Sequence, residues 1–194
     1  MDDWTRTAPH AVAWRSAGEG MGRMISAEDV IQLLDWLNDA EVEVWLDGGW
    51  GIDALVGEQT REHKDLDLIV LDEQASRMRE ALALHGFEHV RGPDWNFVLR
   101  DGVGREVDVH PVHVDQQGVG HLTTEAGHPF VYPRSALAAV GTVKGRRVKC
   151  LSAEAQMVNH SDGDYEPGDT DFHDMRLLNE RFGTRLQAPY ATGS

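Results

Sequence analysis

The segment 44–70, VWLDGGWGIDALVGEQTREHKDLDLIV, constrains the fold more than any other stretch of the chain. An apolar run ends in the pair Gly48-Gly49, a short helical pattern covers residues 50–56, and Asp65-Leu66-Asp67-Leu68-Ile69-Val70 then reads as a strand. A strand alternates its side chains, so Asp65 and Asp67 project from one face while the leucines project from the other. Two hard carboxylates side by side suit Mg²⁺. The glycine pair leaves a turn without Cβ atoms, and the backbone N–H groups of a helix starting there are free to take an anion. This reads as a phosphate cradle beside a metal site.

Composition sets the outer limits. A chain of 194 residues can bury one sizeable core with a small appended helical part. Its hydrophobic fraction of 41% contains no run near the roughly 18 apolar residues that a membrane span needs. The single cysteine, Cys150, has no internal partner and fits a reducing, cytoplasmic compartment, and the first twenty-odd residues lack the apolar segment of a signal peptide. A net charge of -15 repels nucleic acid and anionic membranes and favours cationic small molecules.

The remaining pattern predicts an α/β or α+β chain. Residues 1–23 show no periodicity and read as a flexible tail. A core is expected over 24–151. It opens with a capping box, Ser26-x-x-Asp29, and an amphipathic helix carried by Val30, Leu33, Leu34 and Leu37 and ending near Asn38. Strands are expected at 42–46, 66–71, 87–91, 95–100 and 105–114, with a helix over 73–85 stopped by Gly86 and a hairpin around Gly145 pairing 143–144 with 147–151. A C-terminal helical part over 152–194 starts at Ser152 and includes a helix at about 170–181 with Gly183 past its end. No internal repeat or low-complexity segment interrupts this order.

A third carboxylate of interest lies in Arg105-Glu-Val-Asp-Val-His-Pro-Val-His113, where Glu106, Asp108 and His110 alternate with valines and share a face. As an antiparallel neighbour of the first acidic strand, this segment would bring Asp108 to the metals held by Asp65 and Asp67. Two-metal nucleotidyl transfer uses ions about 3.5–4 Å apart to hold the attacking and leaving oxygens. Asp108 would be a ligand, or the base that takes the acceptor's proton. His110 and His113 are three residues apart, on opposite faces of a strand, so joint zinc ligation is not expected. His110 instead suits orientation of the acceptor or of Asp108.

These residues resemble the DNA polymerase beta-like nucleotidyltransferase superfamily. More narrowly, Trp45-Leu-Asp-Gly-Gly-Trp-Gly-Ile-Asp53, Arg61-Glu-His-Lys-Asp-Leu-Asp67, Val107-Asp-Val-His-Pro111 and Cys150-Leu-Ser-Ala-Glu-Ala-Gln156 are similar to blocks of the small lincosamide nucleotidyltransferases and the aminoglycoside 2''-nucleotidyltransferases. The likeness runs from about Ser26 to Leu178. It implies a nucleotidyltransferase fold, a mixed sheet flanked by helices with a C-terminal helical part. It also implies Mg²⁺-dependent transfer of a nucleoside monophosphate, usually AMP from ATP, to an antibiotic hydroxyl with release of pyrophosphate. By the same matching, Asp65 and Asp67 are metal ligands and Asp108 the base.

Around that centre, Gly48 and Gly49 are the expected nucleotide-binding turn. Arg61 and His63 either neutralise the β- and γ-phosphates or form a surface pair. Glu106 is placed to meet a cationic substrate or only water, and Tyr165 to stack on the base or the drug. Trp45 and Trp50 read as packing around the turn, Asp53 as a group that caps or orients it, and the acidic stretch 162–174 as a solvated helix start or an amine-binding wall. Alternative readings keep the chemistry but use a protein or metabolite hydroxyl, or keep only nucleotide binding as a regulator. Charge does not separate lincosamides from aminoglycosides, and the sequence leaves open whether the chain works alone or as a homodimer.

Overall fold

A computed structural model describes residues 23–123, 129–161 and 167–191. The tail reading over 1–23, apart from Arg23, and Tyr165 lie outside them. Helix α1 (Ala27–Asp39) starts as its sequence predicts: the Ser26 hydroxyl accepts from Asp29 N, and Ser26 N donates back to the Asp29 carboxylate at 2.9 Å. Such a cap contributes about 0.5–2 kcal/mol. Strand β1 (Val44–Asp47) leads directly into α2 (Gly48–Val56), which begins two residues earlier than the apolar pattern suggests because Asp47 caps it. Then follow β2 (Asp65–Leu71), α3 (Ala75–Ala83), β3 (Glu88–Arg91), β4 (Phe97–Arg100) and β5 (Glu106–Val114).

The sheet order is β1-β2-β5-β4-β3. β5 lies parallel to β2, with Asp65 opposite Glu106, Asp67 opposite Asp108 and Ile69 opposite His110. The expected antiparallel neighbour is thus corrected. The chain leaves β2 through α3 and the β3–β4 hairpin, a connection long enough for β5 to re-enter in the same direction, which a tight hairpin cannot provide. Beyond the stretch of β5 paired with β4, the strands β6 (Gly120–Thr123) and β7 (Pro129–Tyr132) extend the sheet as a further antiparallel pair. Neither was expected from the sequence. A separate hairpin, β8 (Val140–Val143) and β9 (Arg146–Lys149), turns at Lys144-Gly145, both with positive φ, as a two-residue hairpin turn requires.

One face of the sheet carries the main core. Leu66, Leu68 and Val70 of β2, Val107 and Val109 of β5 and Phe97 and Leu99 of β4 pack with Val30, Leu33 and Leu37 of α1 and Met78 and Leu82 of α3. Burying each such side chain stabilises the fold by about 1.5–3 kcal/mol. On the opposite face, Trp45, Ile69, Val112 and Tyr132 pack with Leu151 and Ala155. Helices α4 (Ala153–Asn159) and α5 (Asp169–Phe182) close that side, joined to α2 by Ile52, Met157, Met175, Leu178 and Tyr190. The acidic residues share this second face, so the site lies between the sheet and the C-terminal helices. No described helix is long and apolar enough to cross a membrane.

Candidate active site

The parallel register sets Asp108 beside Asp67 because both occupy the same face of paired strands. Among the described residues, Asp67, Asp108 and His110 form a group whose ligand atoms lie within 4.8 Å of one another. His110 Nε2 is 3.9 Å from Asp108 Oδ1 and 4.0 Å from Asp67 Oδ1, an electrostatic pairing beyond hydrogen-bond length. Asp65 sits two pairs further along, opposite Glu106. The strand pattern therefore brings Asp67 and Asp108 together with His110, while Asp65 lies outside this inner group and feels it through charge.

Burial and mutual repulsion shift the carboxyls of the cluster. Burial, then the charges of Asp67 and Asp108, push the Asp65 carboxyl up to about 7. Burial likewise raises Asp108. For His110, burial alone would push the imidazole down, yet Asp108, Asp67 and Asp47 push it up to about 9. Asp108 Oδ1 is buried with no hydrogen-bond partner. The His110 imidazole, 3.9 Å away, offsets part of the charge on this oxygen without hydrogen-bonding it.

The glycine turn abuts this group. Gly48 has φ +56°, and a Cβ there would lie 2.2 Å from Asp67 Oδ2; at Gly49 a Cβ would meet Arg61 Nη2 and His63 Nδ1, each at 2.4 Å. Only residues without side chains let the turn approach the acidic strand this closely. Asp47, which the sequence reading passed over, completes that wall: its carboxylate accepts from Gly48 N at 2.8 Å, and Asn159 Nδ2 approaches it at 3.3 Å while also reaching Tyr132 Oη at 3.2 Å. An aspartate between a strand and a glycine pair is a helix-cap signal, which is how it could have been found.

Other expected residues are engaged within the protein. His63 is buried and its Nε2 lies 2.5 Å from Asp53 Oδ2, while Asp53 also accepts from Thr60 N and Oγ1. Asp53 thus orients the loop, as its position suggested. Arg61 grips Asp174 of α5. Glu106 accepts from Arg100, with Nε at 2.7 Å, and pairs with Arg91 at 3.4 Å, so two guanidinium groups already surround it. His113 pairs with Asp72 away from His110, and the two histidines do not converge.

A mixed sheet with a glycine turn facing paired aspartates defines a nucleotidyltransferase. The chain belongs to the aminoglycoside-2''-adenylyltransferase family, whose model matches residues 29–178. It is 28% identical over 155 residues to a lincosamide resistance protein of Staphylococcus haemolyticus, an alignment spanning 79% of this chain and 94% of that protein. A 2''-aminoglycoside nucleotidyltransferase of Klebsiella pneumoniae is 29% identical over 127 residues, covering 64% of this chain and 66% of its own length. Among solved structures, the lincomycin-bound lincosamide antibiotic adenylyltransferase LnuA superposes with a TM-score of 0.72 at 26% identity, covering 81% of this chain and 98% of that one. The aminoglycoside enzyme ANT(2'')-Ia, in complex with adenylyl-2''-tobramycin, shares the fold with a TM-score of 0.65 at 22% identity, covering 79% and 87%.

Proposed function

We propose that the chain transfers AMP from ATP to a hydroxyl of a lincosamide antibiotic, with Mg²⁺ as the metal. The observation that carries this reading is the convergence of Asp67, Asp108 and His110 on one point next to the glycine turn. The lincosamide preference is supported by the fuller coverage of the lincosamide-type relative, 94% of its length against 66% for the aminoglycoside type.

The residues fit a divalent ion: carboxylates supply hard oxygen donors, and the buried Asp108 Oδ1 accepts no hydrogen bond. Asp65, Asp67 and Asp108 would hold it. When bound, such an ion neutralises triphosphate oxygens and helps hold the attacking and leaving oxygens in line. The turn at Gly48 and Gly49 receives the phosphates through its backbone. Asp108 takes the proton of the acceptor hydroxyl through the carboxylate oxygen that the ion does not engage, and burial raises this carboxyl above its ordinary value. The hydroxyl oxygen forms the new bond to the α-phosphorus as the bond to the β-phosphate bridge breaks, and pyrophosphate departs.

The test is incubation of the purified protein with Mg²⁺, each of the four NTPs, and lincomycin, clindamycin or a panel of aminoglycosides, with products read by mass spectrometry. An adenylyl mass gain on a lincosamide is expected. Asp108→Asn lowers the rate by about 10²–10⁴-fold. A gain on no drug, with nucleotide still bound, would sink the antibiotic reading and turn the search to protein or metabolite hydroxyls.

A further inference from the structure

The glycine turn is backed by a relay that begins on the C-terminal helix. Arg61 lies in the loop between α2 and β2, and its Nε stands 3.1 Å from both carboxylate oxygens of Asp174, with Nη2 at 2.6 Å from Oδ2. Asp174 is 1% exposed and sits on α5. Arg61 Nη1 donates to the Glu62 carbonyl at 3.1 Å. The same Nη2 is the atom that a Cβ on Gly49 would meet at 2.4 Å, beside His63 Nδ1. His63 is in turn fixed by Asp53. The guanidinium is thus held beside the turn at Gly49. Its five N–H groups exceed those used by Asp174 and Glu62.

We propose that Asp174 is a positioning residue for the nucleotide, fixing Arg61 beside Gly49 so that the remaining guanidinium N–H groups meet the triphosphate. The inference rests on the nucleotidyl-transfer reading and names a part of that site contributed by the C-terminal helix. A two-point grip on a planar guanidinium sets its direction as well as its charge, which a lysine paired with one carboxylate cannot do. It also removes Asp174 from the acidic wall expected to hold an amine of the acceptor. A buried ion pair is weak evidence for stability by itself, since an apolar pair of similar volume often replaces it without loss. Burial at this position is therefore not sufficient reason for the pair, whereas proximity to the turn gives it a task.

The experiment is calorimetric binding of MgATP, with no acceptor, to the full chain and to Asp174→Asn, Arg61→Met and the double variant Arg61→Met/Asp174→Leu, with lincomycin titrated separately. Each single variant is expected to weaken MgATP by about tenfold. The double variant should be no weaker than Arg61→Met alone, because Asp174 acts through Arg61. Lincomycin affinity should stay within about twofold in Asp174→Asn, a split that general destabilisation would not produce. Wild-type MgATP affinity in folded Asp174→Asn, additive losses, or an equal loss for lincomycin overturns the proposal. Should Asp174→Asn fail to fold, Arg61→Lys keeps the charge pair without the fork; the same tenfold loss supports the relay and unchanged binding overturns it. A native chain that binds no MgATP sinks the transferase reading itself, an outcome distinct from normal native binding with unaffected variants.

Discussion

Asp65 shows how one residue ties site chemistry to stability. Its carboxyl rises from an ordinary 3.8 to about 7 because it is buried among Asp67, Asp108 and Glu106. A carboxyl with a raised folded-state value binds a proton in the folded protein that the unfolded chain has already lost. Between about pH 4 and pH 7, then, its contribution makes the metal-free protein less stable as pH rises, and the full penalty is present above about 7. His110 acts in the same direction at higher pH. Its favourable contribution is complete below the ordinary value of 6.5 and fades as pH climbs through about 9. Asp65→Asn should therefore be more stable than the native chain at pH 7 without metal, and the advantage should vanish near pH 4. Urea midpoints at both pH values check this, and an advantage that persists at pH 4 would argue against charge as its cause. Saturating Mg²⁺ should narrow the difference at pH 7, because the ion compensates the native carboxylates but has one fewer charged donor in the variant.

At the scale of elements, β2 has two jobs, and they divide by face. Asp65 and Asp67 lie on the face of the proposed site, while Leu66, Leu68 and Val70 are fully buried against α1 and α3. Leu68→Ala removes core volume without touching the acidic face, so it should cost about 2–5 kcal/mol of stability. Denaturant titration measures that loss, and the remaining folded fraction should turn over at the native rate. A large drop in rate per folded molecule would mean that packing behind the strand tunes the carboxylates directly. This two-sided pattern is what made the centre legible in the sequence: alternation alone places Asp65 with Asp67 and Glu106 with Asp108 and His110. The direction of β5 was not legible, since alternation is identical in parallel and antiparallel pairs and only the path through α3 and two further strands decides it. Strands β6 and β7 escaped notice because their short segments, including Gly120 and Pro129, interrupt the pattern. A partner distant in sequence, such as Asp174 for Arg61, depends on tertiary placement that periodicity does not encode.

Across the whole molecule, the charge balance and the site geometry pull on different substrates. A net charge of -15 attracts an amine-bearing acceptor and repels a triphosphate. The donor nucleotide must therefore meet local features that reverse the global field, and the backbone of the glycine turn with Arg61 behind Gly49 is placed to do so. Long-range attraction between exposed charges is screened within about 8 Å at physiological ionic strength, whereas contacts in a partly buried cleft are screened much less. Raising salt should consequently increase KM for a cationic lincosamide by weakening its approach. KM for MgATP should fall slightly or remain level, because screening relieves the repulsion while leaving the close phosphate contacts in place. Steady-state rates from about 20 to 500 mM KCl, each substrate varied at saturation of the other, separate the two trends. Parallel increases in both KM values would mean that the triphosphate is also held chiefly by exposed charges, and the turn would then be only a lining to the cleft.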